Sequence, residues 1–378
     1  MNTFQKFIQY YKPYKKVFIF DLICAAFISL VDLAYPQILR SLTKTLFLKD
    51  ASTILKTLPV IGGILFICYV FQAFCKYYVS CQGHIMGAQM ERDMRRKLFD
   101  HYENLSFSYY DQHNTGQMMS RLVSDLFDIS EAAHHGPENL FISLVKIVGS
   151  FIFLFIIQWK LAIILLVIVL LMIFFSAKQN RRMQATFLDN RRKIGDINAS
   201  LQDSLAGIRI VQSFANEDIE GEKFRLGNEA FLDSKRDNYH AMGSFQSGNT
   251  FFQGMMYLVT LLAGGYFIAL GQMSAADLAM YALYIGIFIS PIQILVELTE
   301  MIQKGMSGFI RYQAIIDIEP EITDCVDAVD MKHPDGDICY HDVSFSYEDN
   351  EIVLNHIDFT IKSGKSVALV GPSGGGKT

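Results

Sequence analysis

Ser366-Val367-Ala368-Leu369-Val370-Gly371-Pro372-Ser373-Gly374-Gly375-Gly376-Lys377-Thr378 is an apolar run passing directly into a glycine-rich loop. Residues 366–370 show no polar alternation, the pattern of a parallel strand covered on both faces, and phosphate loops sit at the ends of such strands. The spacing of Gly371, four residues, then Gly376-Lys377-Thr378 lets successive backbone N–H groups turn inward around a nucleotide's phosphates. Lys377 reaches the β and γ groups, and the Thr378 hydroxyl takes Mg2+. Glycine is needed because the loop visits positive φ and phosphate approaches the backbone. Gly371, Pro372, Ser373, Gly374, Gly375, Gly376, Lys377 and Thr378 are therefore the candidate nucleotide site. A chance glycine-rich turn is the competing reading, and the strand pattern ahead of the loop speaks against it.

What precedes the loop does not read as a soluble enzyme. Hydrophobic residues make up 51% of the chain and charged residues 19%, a mixture that suits apolar spans alternating with charged, water-facing segments. The net charge of −5 argues against a nucleic-acid partner. Val17 to Leu39, Leu58 to Ser80, Leu140 to Ile157, Leu161 to Ala177, Phe245 to Leu270 and Leu278 to Thr299 are each long enough to cross the hydrocarbon core as helices. Six crossings are expected. Lysines precede the first, as in a signal peptide, but Asp21 lies inside it and no small-residue cleavage site follows. The fourth, nearly pure Leu, Ile and Val, is expected to face lipid.

Basic residues between the spans set the orientation. Lys6, Lys12, Lys15 and Lys16 precede span one, Arg92, Arg95, Arg96, Lys97 and Arg121 follow span two, and the segment after span four is richer still. Both termini are thus expected in the cytoplasm, with Gln158-Trp159-Lys160 and Gly271-Gln272-Met273-Ser274 as tight external turns. Arg40, Lys44, Lys49 and Lys56 run against the rule, because they fall in the first external loop.

Beyond the spans the helical period continues. Met86, Met90, Met94 and Leu98 recur within Cys81 to Leu105, and Ile194, Ile197, Leu201, Leu205 and Ile208 within Lys178 to Gln212. Each extension ends in a turn, at Phe107 to Gly116 and at Ser213 to Asp218. Two such hairpins, followed by a linker and a phosphate-loop domain, resemble the exporter-type half-transporter of the ATP-binding cassette (ABC) family, whose members include multidrug and lipid exporters. Nearly the whole chain follows that order. Tyr110-Asp111 through Thr115-Gly116, Ser120-Arg121-Leu122 and Ser124-Asp125 is similar to the family's first coupling segment, and Gly207 through Glu217 resembles the second. Asp32 and Pro36 sit where the family places an acidic residue and a proline near the outer end of its first span.

The resemblance implies an α-helical membrane protein of six transmembrane helices with long cytoplasmic extensions, joined to the N-terminal β-strand part of an α/β phosphate-loop nucleotide-binding domain. It divides the chain into an amphipathic N-terminal segment (1–16), a six-span domain (17–310) with coupling turns near 107–116 and 213–218, a linker (311–336) and the start of a nucleotide-binding domain (337–378). Ile338, Tyr340 and Asp342 alternate with Cys339, His341 and Val343, a strand with one wet face. In Phe345-Ser346-Tyr347, Tyr347 occupies the place where the family stacks an aromatic ring on adenine, an interaction worth about 1–3 kcal/mol that needs no hydrogen-bond match. The implied activity is ATP-driven export of an amphipathic substrate, a drug or a lipid, from a bacterial cytoplasmic membrane, with ATP and Mg2+ as cofactors. The implied assembly is a homodimer or a heterodimer with a related half-transporter, surrounded by membrane lipid. Tyr110, Asp111, Thr115, Phe214 and Glu217 carry the coupling role. The family's hydrolytic carboxylate, glutamine loop, histidine switch and signature sequence would follow Thr378, so no catalytic residue is expected in this chain, which reads as a fragment. A nucleotide-gated channel or a degenerate, regulatory half of a heterodimer is the alternative, with peptide or siderophore transport behind it.

Polar residues inside the spans are the handle on substrate. Gln246, Asn249, Thr250 and Gln253 share one face of span five, and Gln293, Glu297 and Glu300 one face of span six. Burying them against lipid is unfavourable, so Gln246, Asn249, Gln253, Gln293 and Glu297 are candidates for a water-filled cavity, against helix-to-helix bonding or snorkelling. Cys24, Cys68, Cys75, Cys81, Cys325 and Cys339 lack metal-ligand spacing and read as packing residues. His134-His135 reads as a polar start to a helix, because adjacent helical side chains diverge. Phe4, Phe7, Ile8 and Tyr11, with Lys6 and Lys12, predict an amphipathic helix on the inner membrane surface.

Overall fold

The computed structural model describes residues 3–333, 335–346 and 352–371, in two units, Met1–Pro320 and Glu321–Thr378. In the first unit the described residues form helices only: α1 (Thr3–Gln9), α2 (Lys15–Ser41), α3 (Ala51–Tyr78), α4 (His84–Glu103), α5 (Phe107–Gln112), α6 (Thr115–Ser120), α7 (Leu126–Ala206), α8 (Ile208–Ser213), α9 (Glu217–Ala269) and α10 (Ala275–Ile316). Single wide turns at Val79–Gly83 and Arg121–Asp125 carry α3 into α4 and α6 into α7 without a loop. Asp50 starts α3 by accepting from the Thr53 N–H at 2.9 Å, and a reciprocal Ser274–Asp277 capping box starts α10.

Five helical stretches are long and apolar enough to cross a membrane, and one of them holds two of the six expected spans. α7 breaks at Gln158, where φ is −153° and ψ 95°. Side-chain contacts give the direction of each arm. Along 159–206, rising numbers meet falling ones on α9: Ser176 bonds Asn249, Thr186 bonds Asn238 and Asn190 bonds Ser234, so this pair is antiparallel. Residues 126–157 run antiparallel to α10, with Gly136 near Ile302, Phe151 against Phe288 and Leu154 bonded by Tyr281. The 159–206 arm instead runs parallel to α10, since Asn180 meets Val296 and Gln184 meets Glu300. The chain therefore reverses at Gln158. Gln158 Nε2 lies 3.4 Å from Gln272 Oε1, so the two turns expected on one side of the membrane are neighbours.

Around that turn end sits the main core: Leu154, Leu161, Leu165, Met172, Tyr281, Tyr284, Ile285 and Phe288 are fully buried. Its tyrosines are satisfied by main chain, Tyr281 Oη donating to Leu154 and Gln158 carbonyls at 2.8 Å and Tyr284 Oη to Leu33 at 2.9 Å. The fourth span differs from expectation. Leu161, Ala162, Leu165, Val169 and Met172 form a buried stripe, and only Val167, Leu170, Leu171, Phe174 and their neighbours face outward. An all-apolar helix has no polar face to reveal which stripe packs.

A second core lies at the far end, where Met90, Met94 and Leu98 of α4 meet Leu126, Ile129 and Ala133 of α7 and Phe309, Tyr312 and Ile315 of α10. Two details here differ from the sequence reading. The first six residues assigned to the linker, 311–316, continue α10, and Arg311 grips Asp125 through two bonds of 2.6 and 2.7 Å. α1 does not lie free on a surface: Phe7 is buried edge-on against Phe309, Tyr11 Oη donates to the Ala133 carbonyl, and Lys6 pairs with Asp317 at 2.8 Å. Phe4 and Ile8 of the same stripe stay exposed, so only part of it packs on protein, a division that hydrophobic periodicity does not reveal. Asp21 Oδ1 is buried without a bonding partner among the described residues.

The second unit holds an antiparallel ribbon, β1 (Ile338–Ser346) and β2 (Ile352–Ile361), pairing Ile338 with Ile361, Tyr340 with Phe359 and Phe345 with Leu354. The register shifts after Tyr340, where Asp342 and His356 take φ of 51° and 47° and bond each other through their side chains. Lys362 Nζ and the Ser363 N–H hold Asp337 at 2.7 and 2.8 Å, fastening the open end of the ribbon. The strand expected at 366–370 is absent: this segment has no ladder partner, and Val370 is exposed. A parallel strand needs a neighbour on its edge, and the described strands pair only with each other.

Candidate functional site

β1 ends at Ser346, one residue before the expected adenine platform. Tyr347 itself, and Pro372, Ser373, Gly374, Gly375, Gly376, Lys377 and Thr378 of the phosphate loop, lie outside the described residues; Gly371 is the last described.

The two predicted coupling turns are built as compact, exposed tips. In the first, α5 and α6 are single short helices on either side of His113-Asn114. The Tyr109 ring is buried and stacks on His113 at 4.1 Å, while Tyr110 Oη donates to the Tyr102 carbonyl, tying the tip to the end of α4. Asn114 accepts from the Gly116 N–H at 2.7 Å, which starts α6 at Thr115. Asp111 and Thr115 face outward, beside Phe107, which is 87% exposed. The second tip is the α8–α9 turn. Ala215 sits at φ 52°, in the left-handed region that favours glycine, and this strained residue turns the chain between Phe214, 73% exposed, and Glu217, the first residue of α9. Sequence reasoning missed Phe107 and the Tyr109–His113 stack, although all three residues lie in the quoted turn.

The five cavity candidates do not form one patch. Asn249 is buried and takes the Ser176 hydroxyl, a helix-to-helix bond, with its Nδ2 unpartnered among the described residues. Gln246 and Glu297 are exposed, and Gln253 and Gln293 half-buried. Next to them is a cleft of ≈ 280 Å³ between the second arm of α7 and α10, with Ile173, Ile292 and Val296 as apolar wall and Asn180, Gln184 and Thr299 as polar edge. Glu300, on the same face as Glu297, is engaged by Gln184 at 3.2 Å and by Lys304 at 2.6 Å.

Carboxylates pin the spans to each other. Asp277 is buried and accepts Arg40 and Lys44, each at 2.6 Å. Those two are half of the basic residues that ran against the charge rule; a buried counter-ion on α10 neutralises them where they stand. Asp32 takes Lys146 at 2.6 Å and Gln72 at 2.8 Å, joining α2, α3 and α7. Asp32 was singled out by the sequence; its partners, 40 and 114 residues away, were not, because such distant pairs leave no local pattern.

Paired helical hairpins, a reversal at Gln158 and two exposed tips agree with the family comparison. A family model for the ABC transporter transmembrane region matches residues 18–292. The chain belongs to the ABC transporter family. This ABC half-transporter is 37% identical over 375 residues to the uncharacterized ABC transporter ATP-binding protein YwjA of Bacillus subtilis (strain 168), covering 99% of the chain and 64% of that relative. It is 25% identical to the ATP-dependent lipid A-core flippase of Syntrophus aciditrophicus (strain SB), over 100% of the chain and 62% of the flippase. With the putative multidrug export ATP-binding/permease protein YgaD of B. subtilis the identity is again 25%, over 100% of the chain and 66% of the relative. The chain thus spans less than two thirds of the length of these relatives.

Proposed function

We propose that this chain is the membrane-spanning part, with the opening of the nucleotide domain, of a dimeric ATP-driven exporter of amphipathic molecules. The observation that carries the reading is the pair of exposed tips at Phe107–Gln112 and Phe214–Glu217, the first between α4 and α7, which lead into apolar spans, and the second at the start of α9, which runs unbroken into one. In α9, residues 217–244 extend about 40 Å beyond the apolar segment at 1.5 Å per residue, so a displacement at the tip moves the span as a lever. Tyr110, Asp111, Thr115, Phe214 and Glu217 receive closure of the nucleotide domains, and the phosphate loop through Lys377 and Thr378 takes MgATP. The cleft beside Ile292 and Thr299, apolar with a polar edge, suits an amphipathic substrate. Gln246, Gln253, Gln293 and Glu297 add to its lining when two half-transporters, identical or related, pair. Both termini lie in the cytoplasm of a bacterial cell. The relatives named for lipid A-core and for multidrug export support this substrate class without choosing within it.

The test is reconstitution of the full-length protein in lipid vesicles with a fluorescent cationic amphiphile and a fluorescent lipid. ATP-dependent movement of either, lost in Lys377→Ala, supports export. Ion conductance gated by ATP without net substrate movement would replace this reading with the channel alternative.

A further inference from the structure

α4 and α7 come together where α3 ends, through glycines. A Cβ added at Gly87 would lie 2.8 Å from His134 Nδ1 and 3.1 Å from Ser130 Oγ, so the helices approach more closely than any side chain at 87 permits. That approach brings His84, in the first turn of α4, over the adjacent His134 and His135 of α7. The three rings form a tight triangle, with centroids 4.6 Å apart for His84 and His134, 4.9 Å for His84 and His135 and 4.0 Å for His134 and His135. His134 and His135 lie inside α7 rather than at a helix start, and instead of diverging their rings meet a third imidazole from another helix.

The chemistry of the cluster is that of a ligand set. One ring nitrogen from each histidine lies within 4.8 Å of the others. His134 Nδ1 lies 2.9 Å from the Ser130 carbonyl, and only an N–H can satisfy that contact, so Nε2 carries the lone pair. Nε2 is buried and has no bonding partner among the described residues. A backbone carbonyl behind one imidazole nitrogen is the arrangement that orients metal-binding histidines. Acidic side chains lie near the cluster. Glu131 Oε2 is 3.8 Å from His135 Nε2, and a Cβ at Gly83, the residue before His84, would lie 3.3 Å from Asp21 and 4.0 Å from Glu138. Lys76 is the opposing cation.

We propose that His84, His134 and His135 bind one divalent transition-metal ion of the zinc class, clamping α4 to α7. Bonds of about 2.0–2.1 Å set imidazole nitrogens about 3.3 Å apart in a tetrahedral shell, so the rings close by about 1.5 Å through side-chain rotation. Imidazole donors select Zn2+, Co2+, Ni2+ or Cu2+ over Mg2+ and Ca2+, which prefer oxygen. Water or the Glu131 carboxylate fills the fourth position.

The experiment uses full-length protein, purified on a tag without histidine, stripped with chelator and titrated with Zn2+ and with Co2+ in detergent. One Zn2+ per chain is expected, and the Co2+ form should absorb in the visible with tetrahedral intensity and no thiolate charge-transfer band. His84→Ala, whose ring is exposed and whose loss leaves the packing in place, should weaken Zn2+ binding on the order of tenfold or more. Cys75→Ser should leave it unchanged. Elution as a single species on size exclusion shows that each variant is folded. Absent Zn2+ binding, or binding undiminished in both His84→Ala and His135→Ala, would overturn the proposal; a thiolate band lost in Cys75→Ser would assign the metal to cysteine instead.

Discussion

Single residues set the spacing of the helices. Gly305 of α10 meets α7 so closely that a Cβ would lie 2.3 Å from that of Ala132 and 2.9 Å from the Asp128 carbonyl, and the second contact is backbone, which cannot rotate away. Gly305→Leu is expected to destabilise the folded transporter by about 1–3 kcal/mol, the usual range for over-packing, and thermal unfolding of the full-length protein in detergent reads it. An unchanged midpoint would mean that α10 and α7 are not in contact there. Asp50 offers a pH-dependent counterpart. Bonds from Ser52 and Thr53 pull its carboxyl down to about 2, below its unfolded value near 4. A depressed folded value stabilises above the unfolded one and is lost as the carboxylate protonates. The unfolding midpoints of wild type and Asp50→Ala should therefore differ at pH 7 and converge between about pH 4 and pH 2. A difference that persists at pH 2 would assign the effect of the substitution to something other than the carboxylate cap.

At the scale of elements, the α8–α9 tip is the place to separate nucleotide binding from movement of the spans. Phe214 and Glu217 are exposed and make no contact within the core, so replacing both by alanine should leave folding and ATP binding intact. Substrate-stimulated ATP turnover is expected to fall toward its basal rate, measured with and without an amphiphile in the same vesicles. Full stimulation in the double variant would remove this tip from the coupling role. Elements were the most legible level of the sequence. The spans follow from runs of apolar residues, and α4 and the second arm of α7 follow from methionines and isoleucines recurring at helical spacing, because both signals are local. β2 was not foreseen, although Ile352 to Ile361 alternates, and the partners of Asp32, Asp125 and Asp277 were invisible. Those pairs exist because helices distant in sequence lie side by side, and a charge carries no mark of its counter-ion. The cavity was read least well for a related reason: helical spacing put Asn249 on the same face as Gln246, yet packing against Ser176 buries one and exposes the other.

For the whole molecule, the arrangement of arms predicts which surfaces change together. The second arm of α7 runs antiparallel to α9 and parallel to α10, and side-chain bonds tie it to both: Ser176 with Asn249 at 2.5 Å, Asn190 with Ser234 at 3.1 Å, Gln184 with Glu300 at 3.2 Å. These three helices move as one body if the α8–α9 tip drives them, and the cleft at Asn180, Gln184 and Thr299 travels with that body. If a second half-transporter pairs on that side, as proposed, it supplies the outer wall of the cleft, and access then depends on how the halves meet. Single cysteines at 184, 246, 297 and 299 in the full-length protein, with the native cysteines replaced, should react with a membrane-impermeant thiol reagent in the absence of nucleotide. All four should lose reactivity together when a non-hydrolysable ATP analogue closes the dimer. A cysteine at 249 should stay slow throughout, because that side chain is held inside the α7–α9 contact. If 246 and 297 react equally in both states while 184 and 299 do not, the exposed polar face of α9 and α10 snorkels to the interface and the pathway is the cleft alone. If none of the four responds to nucleotide, the cleft is a fixed feature of the bundle, and substrate must pass along another face of the pair.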